Sequence, residues 1–213
     1  MPSDESLGGE PTDITLATYD QAAQVYVERS RAESPDRDAF LARVAAMVRG
    51  GDVLELGSGP GWDADFLEAA GVRVHRSDAT PAFVVRLRAA GHEARLLDAR
   101  SDDFGGPYRG VVAMATLLHL SREQFAAALR KARRAVSDDG VLAFTLKEGD
   151  GEAWSSAKLA LPRHFTFWRE DAIRASLAES GWMVESLDHV VGRTEDWLFV
   201  IARAAQQDPR VVR

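Results

Sequence analysis

Val53-Leu54-Glu55-Leu56 runs straight into Gly57-Ser58-Gly59-Pro60-Gly61, and a helical pattern follows from Trp62 to Ala70. No other stretch narrows the choice of fold as much. A short apolar run of this kind suits a parallel strand covered on both faces. The glycines allow a sharp turn and a close backbone approach to a ligand. A helix that starts just beyond such a turn directs its free N–H groups at whatever lies above it. Strand, glycine turn and helix together predict an α/β sheet. A tight turn that holds no ligand is the plainer alternative.

The spacing separates this loop from one that grips a dinucleotide. That fingerprint needs a third glycine three residues after the second, and this chain has Trp62 there. Glu55 also stands on the strand just ahead of the first glycine. A carboxylate at that point repels a pyrophosphate and suits a ligand that carries positive charge. The stretch Glu-Leu-Gly-Ser-Gly-Pro-Gly resembles the first motif of the class I S-adenosylmethionine-dependent methyltransferases, which reads Glu-x-Gly-x-Gly-x-Gly. The resemblance covers roughly Thr18 to Arg203. It implies a doubly wound, Rossmann-like α/β fold of one domain, with a seven-stranded sheet and an antiparallel last strand.

Composition bounds the partners. A chain of 213 residues, 46% hydrophobic and 28% charged, suits one globular domain with a full core. A net charge of −7 disfavours a nucleic-acid backbone as partner. The absence of cysteine excludes disulfides and cysteine metal sites, and with them methylation of a cytosine ring carbon through a cysteine nucleophile. No apolar run is long enough to cross a membrane. The expectation is a cytoplasmic enzyme of small molecules, with no metal and no membrane or nucleic-acid partner.

Residues 1–14 are expected to be a disordered polar tail, 15–203 the domain with cap helices in 15–50, and 204–213 a polar tail. From Thr15 to Arg29 the residues Tyr19, Ala22, Ala23, Tyr26 and Val27 recur on one helical face. Ser34-Pro35 reads as an N-cap and first position of the next helix. Further strands are expected at Val72–Arg76, Glu93–Leu97, Val111–Met114 and Val141–Leu146, the last preceded by a turn at Asp139-Gly140. Ser121 to Gln124 reads as a capping box. A last helix from Glu170 to Ser180 leads into two closing strands, Trp182–His189 and Asp196–Arg203. His75 and Arg76 are expected at a surface or edge.

Acids end two strands at Asp78 and Asp98, on the sheet edge where ligands of open α/β sheets bind. A carboxylate can accept from both hydroxyls of a ribose, although Asp78 or Thr80 can also cap the helix at Pro81. Asp78-Ala79-Thr80-Pro81 resembles the second methyltransferase motif. The resemblance implies that Glu55 organises the loop and balances the cofactor's positive end. It implies that Gly57, Ser58, Gly59 and Gly61 cradle the cofactor's amino-acid part. Asp78 and Ala79 would hold the ribose, Asp98 and Ala99 the adenine, and Ala113 and Met114 would border the sulfonium. Thr18-Tyr19-Asp20 resembles the cap helix of small methyltransferases, which puts Tyr19 on the cofactor and Tyr26 on the acceptor.

The acceptor side is less marked. Leu117-Leu118-His119 resembles the family's fourth motif. His119 can serve as a base, having an ordinary pKa near neutrality, or as a structural histidine. Lys147 to Trp154 reads as a solvated loop with glycine hinges or, through the resemblance, as a roof over the acceptor. Lys147 would then hold an anionic group and Trp154 an apolar one. Arg163 and His164 open an aromatic stretch and can bind a carboxylate or phenolate. No Asn/Asp-Pro-Pro-Tyr tetrapeptide occurs, which argues against that type of amino-methylating site. The implied reaction is methyl transfer from S-adenosylmethionine to an O or N atom of a small molecule. A catalytically silent protein that binds the same cofactor is the second reading. A nicotinamide dehydrogenase is the third, and Trp62 and Glu55 count against it.

Overall fold

The computed structural model describes residues 8–30 and 34–206. Two helices open it, α1 (Pro11–Gln21) and α2 (Ala23–Ser30), broken at Ala22. The continuous helix expected from Thr15 is therefore two, and it starts earlier. Proline at the first helical position carries no N–H to leave unpaired, and Thr12 is buried. The expected tail thus ends before Pro11; its residues 1–7, like 207–213 at the other end, lie outside the described residues.

α3 (Pro35–Val48) starts on Ser34, whose hydroxyl accepts from the Arg37 N–H at 3.3 Å. The α/β body follows: β1 (Asp52–Leu56), α4 (Trp62–Ala69), β2 (Arg73–Asp78), α5 (Pro81–Ala89), β3 (Ala94–Leu96) and β4 (Tyr108–Ala113). A single 3-10 turn, Leu117–His119, precedes α6 (Arg122–Ala135), which opens on the capping box of Ser121 and Gln124. β5 (Val136–Lys147) begins where α6 ends, so Asp139 and Gly140 lie inside a strand rather than in a turn. β6 (Glu152–Ser155), β7 (Arg163–Thr166), α7 (Glu170–Glu179), β8 (Trp182–Val190) and β9 (Trp197–Ala204) complete the chain.

Seven strands make one sheet in the order β3-β2-β1-β4-β5-β9-β8. β9 runs antiparallel to both neighbours, and the pairs from β3 through β5 are parallel. From β1 the chain goes first to one side, for β2 and β3, and then to the other, for β4 and β5. The strand order therefore reverses between β1 and β4, and a crevice opens beyond their C-terminal ends.

Alternation along the strands divides the core. Leu54, Leu56, Val111, Ala113, Leu142 and Phe144 pack with Phe125, Leu129, Ile173 and Leu177 of α6 and α7. Val53, Val112, Val141 and Ala143 pack with Phe40, Leu41, Val44 and Leu67 of α3 and α4. By the same parity Glu55 and Thr145 face the α3–α4 side. Arg76 is not at a surface: it is 5% exposed, and it donates to Asp65 and Glu68 of α4. A second, two-stranded sheet pairs β6 with β7, with Trp154 opposite His164. This hairpin turns the expected loop and aromatic stretch into one unit beside α1.

Candidate functional site

Two cavities meet at the crevice. The main one encloses about 770 Å³ and is lined by Tyr19, Tyr26, Gly57, Gly59, Asp78, Ala79, Asp98, Ala99, Met114 and His119 among the residues the sequence singles out. The second, about 1090 Å³, shares Tyr26, Gly57, Gly59 and Met114 with it and adds Ser58, Asp63, Thr145, Lys158 and Trp197. Ala115 borders both. It has a φ of 50°, in a region that costs a residue with a Cβ energy, and its N–H donates to Thr145 Oγ1 at 2.9 Å. Strain stored where two cavities join is a mark of functional sites.

The glycine loop is built for this junction. Gly57 has a φ of 70°, and a Cβ there would lie 2.3 Å from Thr116 Oγ1. Gly59 has a φ of 50°, and a Cβ there would meet nothing within 4 Å, because the space around it is cavity. The Ser58 N–H donates to the Ser77 carbonyl at 2.8 Å, and the Ser77 N–H donates back to Ser58 Oγ at 3.1 Å. These bonds tie the loop to the end of β2. Gly61 lines neither cavity; a Cβ there would press on Leu87 at 2.9 Å, so its smallness serves the packing of α4 against α5.

Asp78 is buried. Its Oδ2 accepts from the Gly59 N–H and its Oδ1 from the Thr80 N–H, each at 2.8 Å. Burial raises its pKa against the pull of these two N–H groups. The Thr80 side chain adds to that pull, and Asp78 lines the main cavity. Asp98 is more committed: both its oxygens accept from Arg100, which also pairs with Glu10 and Asp13. Burial opposes ionisation there, but the Arg100 contacts prevail and hold Asp98 below the ordinary carboxylate range.

Glu55 stands under the loop, 2% exposed, on the α3–α4 side. Burial first, and the nearby Asp63 second, push its pKa up to about 8, while the Ser58 hydroxyl donates to it. Its Oε2 has no hydrogen-bond partner. Asp63, at the start of α4, is also raised by burial and lies 3.5 Å from Arg37 Nε.

His119 belongs to a directed chain. Arg163 Nη1 donates to the Tyr19 hydroxyl at 3.3 Å, and that hydroxyl lies 2.9 Å from His119 Nε2. His119 Nδ1 lies 2.6 Å from the His164 carbonyl, which can only accept, so Nδ1 carries the proton and Nε2 accepts from Tyr19. Burial pushes the His119 pKa down to about 3. Burial thus disfavours the charged ring, and the lone pair that a base would use accepts from Tyr19. It holds Tyr19 in place instead.

Tyr26 lines both cavities, but the remaining acceptor residues read from the sequence, Lys147, Trp154, Arg163 and His164, line neither. Lys147 Nζ bonds Glu195 at 2.5 Å, and the Trp154 and His164 rings pack edge to face with His164 3.3 Å from Glu152. Arg163 reaches the main cavity only through Tyr19. Ala113, expected at the sulfonium, is fully buried in β4, and Ala115 takes the bordering position. Lys158, Asp63, Thr145 and Trp197 escaped sequence reasoning. No local motif marks them, and only the fold brings them together. The parity of β5 could have pointed to Thr145.

The profile of a methyltransferase domain family matches residues 28–187. No curated protein sequence matches the chain. Solved structures share its fold. The Burkholderia thailandensis 1,6-didemethyltoxoflavin-N1-methyltransferase, solved with 1,6-didemethyltoxoflavin and S-adenosylhomocysteine, superposes with a TM-score of 0.70 at 16% identity, over 96% of this chain and 94% of its own. The CcbJ methyltransferase of Streptomyces caelestis gives 0.71 at 22%, over 88% and 98%. The [4+2]-cyclase SpnF gives 0.73 at 14%, over 94% and 98%. The family match spans most of the chain, and the protein belongs to the methyltransferase-domain family.

Proposed function

We propose that this member of the methyltransferase-domain family transfers a methyl group from S-adenosylmethionine to an O or N atom of a small acceptor. The observation that carries the reading is the meeting of two cavities over the glycine loop, at Gly57, Gly59, Met114 and Ala115. One cavity suits a nucleoside and the other an acceptor. The residues fit the cofactor: Gly59 leaves open the space a Cβ would take, and Glu55 keeps a buried oxygen without a donor beneath it.

Asp78 would hold the ribose and the Asp98–Ala99 edge the adenine. Glu55, with Asp63 beside it, would face the cofactor's ammonium. When bound, S-adenosylmethionine supplies a methyl carbon on a sulfonium, which an acceptor lone pair attacks in line as the carbon–sulfur bond breaks onto sulfur. The protein's part is alignment and exclusion of water. Tyr19, held from both sides by Arg163 and His119, and the edge-packed Tyr26 would form the wall between nucleoside and acceptor. His119 takes no proton. An acceptor that reacts here must already offer a lone pair, or lose its proton to a group other than this imidazole.

The test is a calorimetric titration with S-adenosylhomocysteine, followed by transfer of radiolabel from S-adenosylmethionine into an acceptor library and cell extract. Binding and labelled product are expected. Absence of S-adenosylhomocysteine binding would sink the reading. Tight binding with no labelled product from any source would favour the catalytically silent alternative.

A further inference from the structure

Two cations, Arg37 and Lys158, and two carboxylates, Asp36 and Asp63, line the second cavity, and among the described residues Lys158 pairs with neither carboxylate. Lys158 lines it, half-buried, with Nζ 5.0 Å from the centroid of the Tyr26 ring. Among the described residues no carboxylate lies within ion-pair distance of this ammonium. Its backbone carbonyl accepts from another cation, Arg29, at 2.9 Å. Arg163 is 7% exposed, and among the described residues its side chain bonds only the Tyr19 hydroxyl, through Nη1, and leaves Nε buried without a partner. No carboxylate pairs with it either, among the described residues. Lys147 is the third cation, 3.5 Å from the Phe165 centroid, and among the described residues the only one of the three with a counter-ion, Glu195.

Burial first, then Arg163 and Lys147, disfavours the charged form of Lys158 against the smaller opposing pull of Glu195. Of the carboxylates on the cavity wall, Asp63 lies 3.5 Å from Arg37, and neither it nor Asp36 forms an ion pair with Lys158 among the described residues. A desolvated cation without a counter-ion is costly, and proteins pair such groups. Aromatic faces at Phe165 and Tyr26 compensate in part. A ligand anion would complete the set. We propose that the acceptor carries an oxyanion, a carboxylate or an ionised phenol, which Lys158 meets in the second cavity within the positive field of Arg163 and Lys147. This rests on the methyl-transfer reading above. Tyr26, Trp197 and Phe199 on the same walls suit a planar body behind that oxyanion.

A carboxylate could also come from the cofactor's own amino-acid end, and the experiment separates the two. The full chain is first titrated with S-adenosylhomocysteine and with 5′-methylthioadenosine, which lacks the amino-acid end. The S-adenosylhomocysteine complex is then titrated with benzoate, 4-hydroxybenzoate and indole-3-carboxylate, each against its primary amide. At least one carboxylate is expected to bind about tenfold or more tightly than its amide. Lys158→Ala should abolish that preference, Lys158→Arg should keep it, and neither should change the affinity for either nucleoside. The proposal is overturned if no carboxylate exceeds its amide, or if Lys158→Ala keeps the preference. It is also overturned if Lys158→Ala weakens S-adenosylhomocysteine but not 5′-methylthioadenosine, which would assign the lysine to the cofactor. Failure of S-adenosylhomocysteine to bind the unaltered protein is read first, and it removes the methyl-transfer reading and this proposal together.

Discussion

Replacing Gly57 by alanine separates two uses of glycine that the loop combines. The backbone at Gly57 has a φ of 70°, and holding alanine there costs about 1–2 kcal/mol. The new Cβ would also lie 2.3 Å from Thr116 Oγ1 and 2.6 Å from its Cγ2. Thr116 must move, and its hydroxyl then gives up the Leu56 and Met114 carbonyls, each 3.0 Å away. Losing that bond costs roughly 1 kcal/mol, so Gly57→Ala should destabilise by about 2–4 kcal/mol in all. Gly59→Ala carries a similar backbone strain, but its Cβ meets no atom. It should cost only that strain, about 1–2 kcal/mol of stability, while its methyl group fills ligand space and weakens S-adenosylhomocysteine binding by about tenfold or more. Urea unfolding followed by circular dichroism measures the first quantity, and calorimetry the second. The double variant Gly57→Ala, Thr116→Ala removes the two closest contacts and leaves only the residue-116 Cβ at 3.0 Å, so its cost should fall short of the sum of the single costs by about 1 kcal/mol or more. Equal costs for the two glycines, or strict additivity of Gly57→Ala and Thr116→Ala, would refute the geometry argued for the loop.

Asp78→Ala should weaken S-adenosylhomocysteine binding more than about tenfold, since it removes a charged acceptor and frees the Gly59 N–H; a folded variant of unchanged affinity would end the ribose assignment. The Glu55 pKa of about 8 lies above the ordinary value near 4.3, so the folded state holds the extra proton between them. That contribution to stability is present below the ordinary value and is lost as pH rises through about 8. The ligand-free protein should therefore lose stability from about pH 4.5 to about pH 8, and Glu55→Gln should flatten this slope; an identical slope in both proteins would contradict it. The His119 pKa of about 3 lies below its ordinary value near 6.5, so its ring should stay neutral and Nδ1-protonated. Long-range nitrogen NMR correlations should show no protonation of that ring between about pH 8 and about pH 5, and a midpoint within that range would restore His119 as a base.

The sheet could be read from the sequence because its information is local. Val53 to Leu56 is apolar but for Glu55, Ser121 and Gln124 cap one another, β2 ends on Asp78, and Asp98 follows two residues after β3. Each signal sits within a few residues of the structure it specifies. The β6–β7 pairing joins Glu152–Ser155 to Arg163–Thr166 across a long loop, and neither short strand carries a clear alternation. Lys158 lies in that loop, and its meeting with Tyr26 is decided by where α2 docks. His119 was visible as a residue but not as a state. Its proton is fixed by the His164 carbonyl and the Tyr19 hydroxyl, two partners that its own neighbourhood in the chain does not reveal.

α1 is fastened over the main cavity by a stripe of threonines. Thr12 donates to the His119 carbonyl at 2.9 Å, Thr15 accepts from the His164 N–H at 2.9 Å, and Thr18 donates to the Pro162 carbonyl at 2.6 Å. Asp20 adds a bond from the Ala82 N–H at 2.8 Å. Four such bonds at about 1 kcal/mol each favour the fastened helix by about 4 kcal/mol, or roughly a thousandfold. A nucleoside seated beneath α1 would thus leave only in the rare moments when the helix lifts. Residence time, and with it the ceiling on turnover, would be written in those threonine hydroxyls rather than in the residues that touch the methyl group.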